Sequence, residues 1–479
     1  MLRRLALTLT ALLAAPACTS APPSPAALRS ADLADAAAAA ETEMRRQGMP
    51  GMVLVVMQGD RIALARGYGV ESSARPDPIT PASLVMYNSL SKQFVAAAVM
   101  QLAEAGRLSV DDPVARHLPD WSHVPPALRI RHLLSHTSGM RDAHVQPELG
   151  ALFDRPGTGW DEFAAATRET PSDWAPGTRW SYGNINYLML QLIVERMVGH
   201  PLETALSDLL FRPLGLSSVR LCPTAPGGTP GEARGHVLRN GALAGHDPEP
   251  VHLFAGAGGL CGTTLDLARW TRALATGRAV SRSSFEQMSE AAPLADGGTA
   301  DYGFALSLVR PDGVRRIGHG GYGGGFSAQA AYYPDSDLTT VVVGNRFLMP
   351  ESIERKLVRR LLALPAPAYH EVPLTAEQRS NFAGSFDVGV HGWHPSIEER
   401  EGRLWFVLPG PPISFPLAYV GGDTLAETGN ADGYRLVFSP DRRTVRLLGM
   451  GLMTWYGTRV PAAAAPTPQS ADSATSGSR

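Results

Sequence analysis

Ser89 and Lys92 stand three residues apart at the head of the stretch YNSLSKQFVAAAVMQLAEAGRL. Residues at i and i+3 lie on one face of a helix, so the hydroxyl and the ammonium would point the same way. The segment is apolar nearly all round, from Phe94 and Val95 to Val99 and Leu102, and it stops at Gly106. Such a helix is expected to be buried on every side, and a lysine at its start needs a reason. A serine hydroxyl is a poor nucleophile until a neighbour takes its proton. Burial lowers a lysine pKa by desolvating the charged form, which would make Lys92 a base near neutral pH. No Gly-x-Ser-x-Gly elbow is present to suggest a Ser-His-Asp arrangement instead.

Two further stretches add polar groups. Tyr182 and Asn184 form a Tyr-x-Asn, and His319 and Gly321 lie in a GHGG that opens what reads as a strand. Together with RHLLSHTSGM, PGTRWSYGN, PLGL and AGAGGLCGTTLDLARW, these motifs resemble the penicillin-binding and class C β-lactamase-like serine hydrolases, over roughly residues 30–365. That group also includes esterases and D-aminopeptidases. The resemblance implies that Ser89 attacks a carbonyl while Lys92 and Tyr182 manage its proton. Tyr182, its pKa lowered by nearby positive charge, would protonate the leaving group and later activate water. Asn184 would hold Lys92 and the substrate amide, and the backbone N–H groups of Ser89 and Tyr322, the residue after His-x-Gly, would receive the oxyanion. The resemblance implies no metal and no cofactor.

The sequence departs from the β-lactamase pattern at the third motif. Those enzymes usually carry Lys-Thr-Gly there, with the lysine helping to hold a substrate carboxylate; here the residues are His319, Gly320 and Gly321. A histidine is mostly neutral at pH 7, so carboxylate recognition should be weak. His-x-Gly resembles the D-aminopeptidase and esterase branches. The expected function is an exported serine hydrolase acting through an acyl-enzyme on esters or D-amino-acid amides and peptides. The alternatives are a β-lactamase or peptidoglycan DD-peptidase and, of another class, a non-catalytic cell-wall peptide-binding protein.

Other polar stretches carry less. GHGGYG satisfies Gly-x-Gly-x-x-Gly, but strand-like sequence follows where a dinucleotide site needs a helix. His132 and His136 are spaced i, i+4 without the glutamate of a zinc-protease helix, and are read as a structural loop. Asp111 and Asp112 are read as capping or turn residues.

The elements that must position these groups follow from the pattern. The stretch 51–69 reads as two strands joined at Gly59-Asp60, preceded by a helix. From about 107 to 290 the pattern is mostly helical with loops, and Asn186 is expected to cap a helix running to Gly199, leaving Tyr182 and Asn184 on the loop before it. Strands return from 302 to 346, followed by a helix near 351–363. The expected fold is α/β: an antiparallel sheet flanked by helices plus a helical subdomain, followed by a small C-terminal β-barrel-like domain. In the last region, RLWFVL, ISFPLAYV, YRLVF and TVRLL are short runs between turn signals. The expected divisions are a signal peptide at 1–17, a linker at 18–28, the hydrolase domain at 29–368, the barrel at 369–460 and a disordered tail at 461–479. By resemblance to D-aminopeptidase-like proteins, the GVHGWHP stretch around Trp393 would lean over the Ser89 cleft, and a chain ended near residue 368 would keep Ser89 reactive while accepting bulkier substrates.

The totals are bland. The 479 residues carry a formal charge of −2 with no long basic or acidic run, so nothing asks for nucleic acid. The N-terminus is the exception: Arg3 and Arg4, an apolar run and Ala15-Pro16-Ala17 make a secretory signal. Cys18, just beyond, resembles a lipoprotein acceptor, with Ala15 where that motif usually has Leu. The protein is therefore expected to be periplasmic or anchored in a bacterial membrane through a lipid on Cys18. Cys222 and Cys261 remain, as a disulfide or as two buried thiols. Partners other than a small ester or peptide substrate, and the oligomeric state, are not legible.

Overall fold

A near-continuous run of valine, leucine and methionine makes Gly51–Gln58 a strand buried along nearly its whole length. Its neighbour Arg61–Gly69 turns back at Gly59, whose φ of 57° suits glycine, and stays largely exposed at the sheet edge. The structure is a computed structural model and describes residues 27–461 apart from 144–145, 224–229, 240, 248–249, 348–349, 389–393, 409–412, 431 and 450–453. The sequence expectations for the signal peptide, Cys18, most of the linker and nearly all of the tail lie outside the described residues.

Six antiparallel strands form the main sheet, in the spatial order Arg61–Gly69, Gly51–Gln58, Leu338–Gly344, Phe326–Tyr333, Arg316–Gly323, Ser307–Val309. The two terminal helices of this part, Ser30–Arg46 and Pro350–Leu361, cover one face through Ala36, Ala40, Met44, Ile353 and Leu357. The other face packs against Ser91–Glu104 and Thr264–Ala275, where Phe94 stacks on Trp270 at 3.9 Å between ring centroids. Both faces are therefore dry, which is why the central strands read as apolar runs rather than alternating ones. The region read as helical also contains strands: Leu260–Thr263 pairs with Leu84–Met86 and with Arg220–Leu221. Cys222 and Cys261 are joined by a disulfide there, beside the strand that leads into Ser89.

Eight strands, from Gly384–Asp387 to Thr454–Arg459, close into an antiparallel barrel. Four of its strands contain the runs read from sequence; Gly384–Asp387, Ser396–Arg400, Thr424–Glu427 and Thr454–Arg459 complete it. Alternate residues such as Leu404, Phe406 and Leu408 point inward. The apolar cluster does not stop at the barrel wall: Trp180, Ala292, Ala300 and Tyr302 from the first part belong to it, with Tyr182 packed against it.

Candidate active site

The backbone brings Ser89 to the surface of an otherwise buried helix start. Asn88 adopts φ 52°, a left-handed value that asparagine tolerates better than most residues, and donates from Nδ2 to the Gly323 carbonyl at 3.2 Å. Asn88–Leu90 then form a single 3-10 turn before the helix Ser91–Glu104. Ser89 is half-buried, whereas Leu90 and the helix from Ser91 to Val99 are at most 1% exposed. The strand Arg316–Gly323 presses against this turn: a Cβ at Gly321 would lie 2.3 Å from the Tyr87 carbonyl oxygen and 3.3 Å from the Ser89 nitrogen. Only glycine allows that approach, which gives the third motif its glycine a steric reason.

Lys92 is wholly buried and makes three hydrogen bonds from Nζ: 3.2 Å to Ser89 Oγ, 2.8 Å to Asn184 Oδ1 and 2.6 Å to the Ala257 carbonyl. Its Nζ also lies 4.9 Å from the Tyr182 ring centroid. Burial lowers its pKa to about 7, against an opposing effect of Asp142. A neutral amine has two N–H donors and one lone pair. The two carbonyl oxygens take the donors, leaving the lone pair for the Ser89 hydroxyl.

Tyr182 is half-buried, but its hydroxyl oxygen is inaccessible and has no hydrogen bond of good geometry. Its pKa is not lowered by Lys92 as expected; burial pushes it up, and the nearby Ser89 hydroxyl opposes this only in part. Desolvation of the phenolate and the nearby Asp142 carboxylate both favour the protonated form. Tyr182 is thus a phenol, not a phenolate.

Asn184 does not sit on the loop, and Asn186 does not cap the helix. The helix is Asn184–Val198, so Asn184 is its first residue. The cap comes from a distant segment: Asp142 Oδ1 accepts the Ile185 N–H at 2.9 Å. Asn186 is buried, accepting from Ser138 Oγ at 2.5 Å and hydrogen-bonded to His136 Nδ1 at 3.0 Å. His132 Nδ1 accepts the Arg129 N–H at 3.1 Å, so the two histidines hold local backbone and the Tyr182 loop. Asp112 accepts the Ser109 N–H at 2.9 Å, as a turn residue does.

His319 lies near Tyr182, with ring centroids 6.1 Å apart, but turns its nitrogens inward. Nδ1–H donates to the Gly320 carbonyl at 2.5 Å and Nε2 accepts the Tyr302 hydroxyl at 2.8 Å. Fully buried, its pKa falls to about 3. The imidazole is neutral with both nitrogens taken, so it orders the wall behind Tyr182. The Tyr322 side chain leaves the site for Glu351, to which its hydroxyl donates.

Sequence reasoning missed four contributors. The Ala257 carbonyl lies in a quoted motif, and Asp142 and Tyr302 carry no spacing signal. Trp455 comes from the last barrel strand: its ring lies 5.9 Å from Tyr182 and 5.6 Å from Trp180, both edge-on. The expected gate around Trp393 falls on residues 389–393, outside the described residues.

A helix-faced antiparallel sheet with a Ser-x-x-Lys turn against its glycine-bearing strand defines the β-lactamase/transpeptidase class of fold. Residues 36–364 match the family model described as Beta-lactamase, and the chain belongs to that family. It is similar to the D-aminopeptidase of Brucella ovis, 26% identical over 369 residues that make up 74% of this chain and 66% of the relative. Against the D-aminopeptidase of Brucella anthropi it is 26% identical over 331 residues, 68% of this chain and 62% of that one. The chain thus spans just under two thirds of the length of these relatives. The octameric penicillin-binding protein homologue from Pyrococcus abyssi superposes with a TM-score of 0.65 at 21% identity, covering 89% of this chain and 100% of that one, which shows the fold.

Proposed function

We propose that the protein is an exported serine hydrolase that works through an acyl-enzyme at Ser89 on D-amino-acid amides or peptides, or on esters. The observation that carries this reading is Lys92, buried, with a pKa of about 7 and hydrogen-bonded to Ser89 Oγ at 3.2 Å. Ser89 Oγ forms the bond to the carbonyl carbon while its proton passes to Lys92. The oxyanion is received by the backbone N–H groups of Ser89 and Tyr322, each such donor contributing roughly 2.7–4 kcal/mol. Tyr182, kept protonated by burial, gives its proton to the leaving amine or alcohol and is reprotonated from Lys92. Water then attacks the acyl carbonyl, loses a proton to the same pair, and Ser89 leaves with one. Asn184 holds Lys92, and Gly321 sets the strand beside Ser89.

The neutral, inward-turned His319 offers no cation to a substrate carboxylate, which favours an amidase or esterase over a β-lactamase or DD-peptidase. The D-aminopeptidase relatives point to a D-amino acid at the acyl position. Purified protein should turn over D-Ala-p-nitroanilide or p-nitrophenyl butyrate faster than nitrocefin, and a fluorophosphonate should add its mass at Ser89. Preferred turnover of nitrocefin would move the assignment to a β-lactamase; no labelling and no turnover would leave a peptide-binding protein. Export through residues 1–17 and a lipid on Cys18 belong to the same proposal. Mass spectrometry of the mature N-terminus from membrane and soluble fractions tests them.

A further inference from the structure

Where the barrel meets the edge of the main sheet, a cavity of about 600 Å³ opens between the strand Ser307–Val309 and the barrel residues Arg435, Leu448 and Thr454. Its chemistry is uneven. Leu308, Val309 and Leu448 supply apolar wall, and three arginines, Arg310, Arg355 and Arg435, reach it. Arg355 is spent within the protein: it and Arg359 bind Asp312 at 3.1 and 2.8 Å, and Arg359 also pairs with Asp432. Those two cations and two carboxylates cancel. They also pin Asp312 at φ 54°, which fixes the turn that follows Arg310.

Arg310 and Arg435 have no such partners. Neither side chain makes an ion pair or a hydrogen bond among the described residues, although both line the cavity. The remaining acidic group, Asp301, accepts hydrogen bonds from the Thr454 and Tyr456 hydroxyls at 2.7 and 3.5 Å. One carboxylate therefore faces two unpaired guanidiniums, and the cavity carries a net positive charge. Arg355 Nε, in a residue only 8% exposed, is also left without an acceptor.

We propose that this cavity is a binding site, separate from Ser89, for an organic carboxylate of peptide size, its carboxylates held by Arg310 and Arg435. Guanidinium groups match carboxylates in a bidentate fork. The volume falls within the range of small-molecule sites, and the apolar wall asks for a ligand with a carbon body, which an inorganic anion lacks. The cavity adjoins the reaction centre without joining it. Asp301 precedes Tyr302, which bonds His319, and Thr454 precedes Trp455, which packs on Tyr182. An acidic peptide seated here would bear on the wall behind the catalytic tyrosine.

The test reads binding, so it stands whether or not the proposed hydrolysis is correct. Full-length Ser89→Ala protein is titrated calorimetrically with N-acetyl-Leu-Glu-Glu, with N-acetyl-Leu-Gln-Gln and with inorganic phosphate, at constant ionic strength. The acidic peptide should bind at least tenfold more tightly than the other two. The Arg310→Gln, Arg435→Gln double variant should lose at least tenfold of that affinity with an unchanged melting temperature, and Arg310→Lys, Arg435→Lys should recover part of it. Equal affinity for the neutral peptide, phosphate binding as tight as the acidic peptide, or affinity unchanged in the double Gln variant would each overturn the proposal.

Discussion

Ser89 and Ser91 are two residues apart and do unrelated things. Ser89 faces Lys92, whereas Ser91 Oγ, fully buried, accepts the Leu260 N–H at 3.0 Å and ties the helix to the disulfide-bearing strand. Ser89→Ala should abolish fluorophosphonate labelling and turnover with little change in stability. Ser91→Ala should keep labelling at Ser89 but cost about 1–3 kcal/mol in denaturant unfolding, because it orphans a buried amide. Lys92 sets the pH dependence. As the base must be neutral, kcat/KM should rise about tenfold per unit below pH 7 and level off above it. The same lysine should act on stability. Between about pH 7 and its unfolded value near 10.5, the unfolded chain holds a proton that the folded one lacks, so stability rises with pH across that window. Lys92→Met should abolish turnover and flatten the stability profile; a wild-type unfolding free energy that falls between pH 7 and 9 while that of Lys92→Met stays level would contradict this account.

At the scale of elements, the geometry of the proposed active site is held by pieces distant in sequence. Trp455 on the strand Thr454–Arg459 braces Tyr182 from outside the sheet-and-helix part. Trp455→Leu should lower kcat by up to about 100-fold with a smaller change in KM, since sub-ångström positioning is what it supplies; Trp455→Phe should recover most of the loss. Equal kcat for Trp455→Leu and wild type would show that Tyr182 needs no brace. The disulfide ties Cys222 to the strand Leu260–Thr263, across a sequence separation of 39. Replacing both cysteines by serine should lower stability by roughly 2–4 kcal/mol, and thiol titration of unreduced, denatured wild-type protein should find no free thiol from this pair.

For the molecule as a whole, the question is whether the barrel is an appendage. Its apolar cluster takes in Trp180, Ala292, Ala300 and Tyr302, and Asp432 on the barrel side binds Arg359 of the helix Pro350–Leu361. Ending the chain at residue 368 would expose those aromatic rings and leave Arg355 and Arg359 without the Asp432 region. The expected outcome is therefore not a broader substrate range but a chain that aggregates or unfolds several degrees lower and labels poorly at Ser89. A soluble truncated protein with wild-type labelling and melting temperature would show that the two parts are energetically separate.

Much of this protein follows from its sequence alone. Ser89 and Lys92 share a face because i, i+3 spacing is local geometry, and the apolar composition of Phe94 to Leu102 requires burial and hence a lowered lysine pKa. The runs at 51–58 and 338–344 require interior strands, and the turn signals after 400 require short antiparallel ones. Only the tertiary structure decided what each polar group meets. Asn184 became a helix residue because Asp142, 43 residues before Ile185, supplies the cap. Tyr182 stayed a phenol because the desolvation around it, where the barrel's Trp455 packs, outweighs the Ser89 hydroxyl. His319 turned inward because Tyr302 and the Gly320 carbonyl took both its nitrogens. Periodicity and spacing describe neighbours along the chain, whereas pKa values, caps and orphaned donors depend on which surfaces exclude water together.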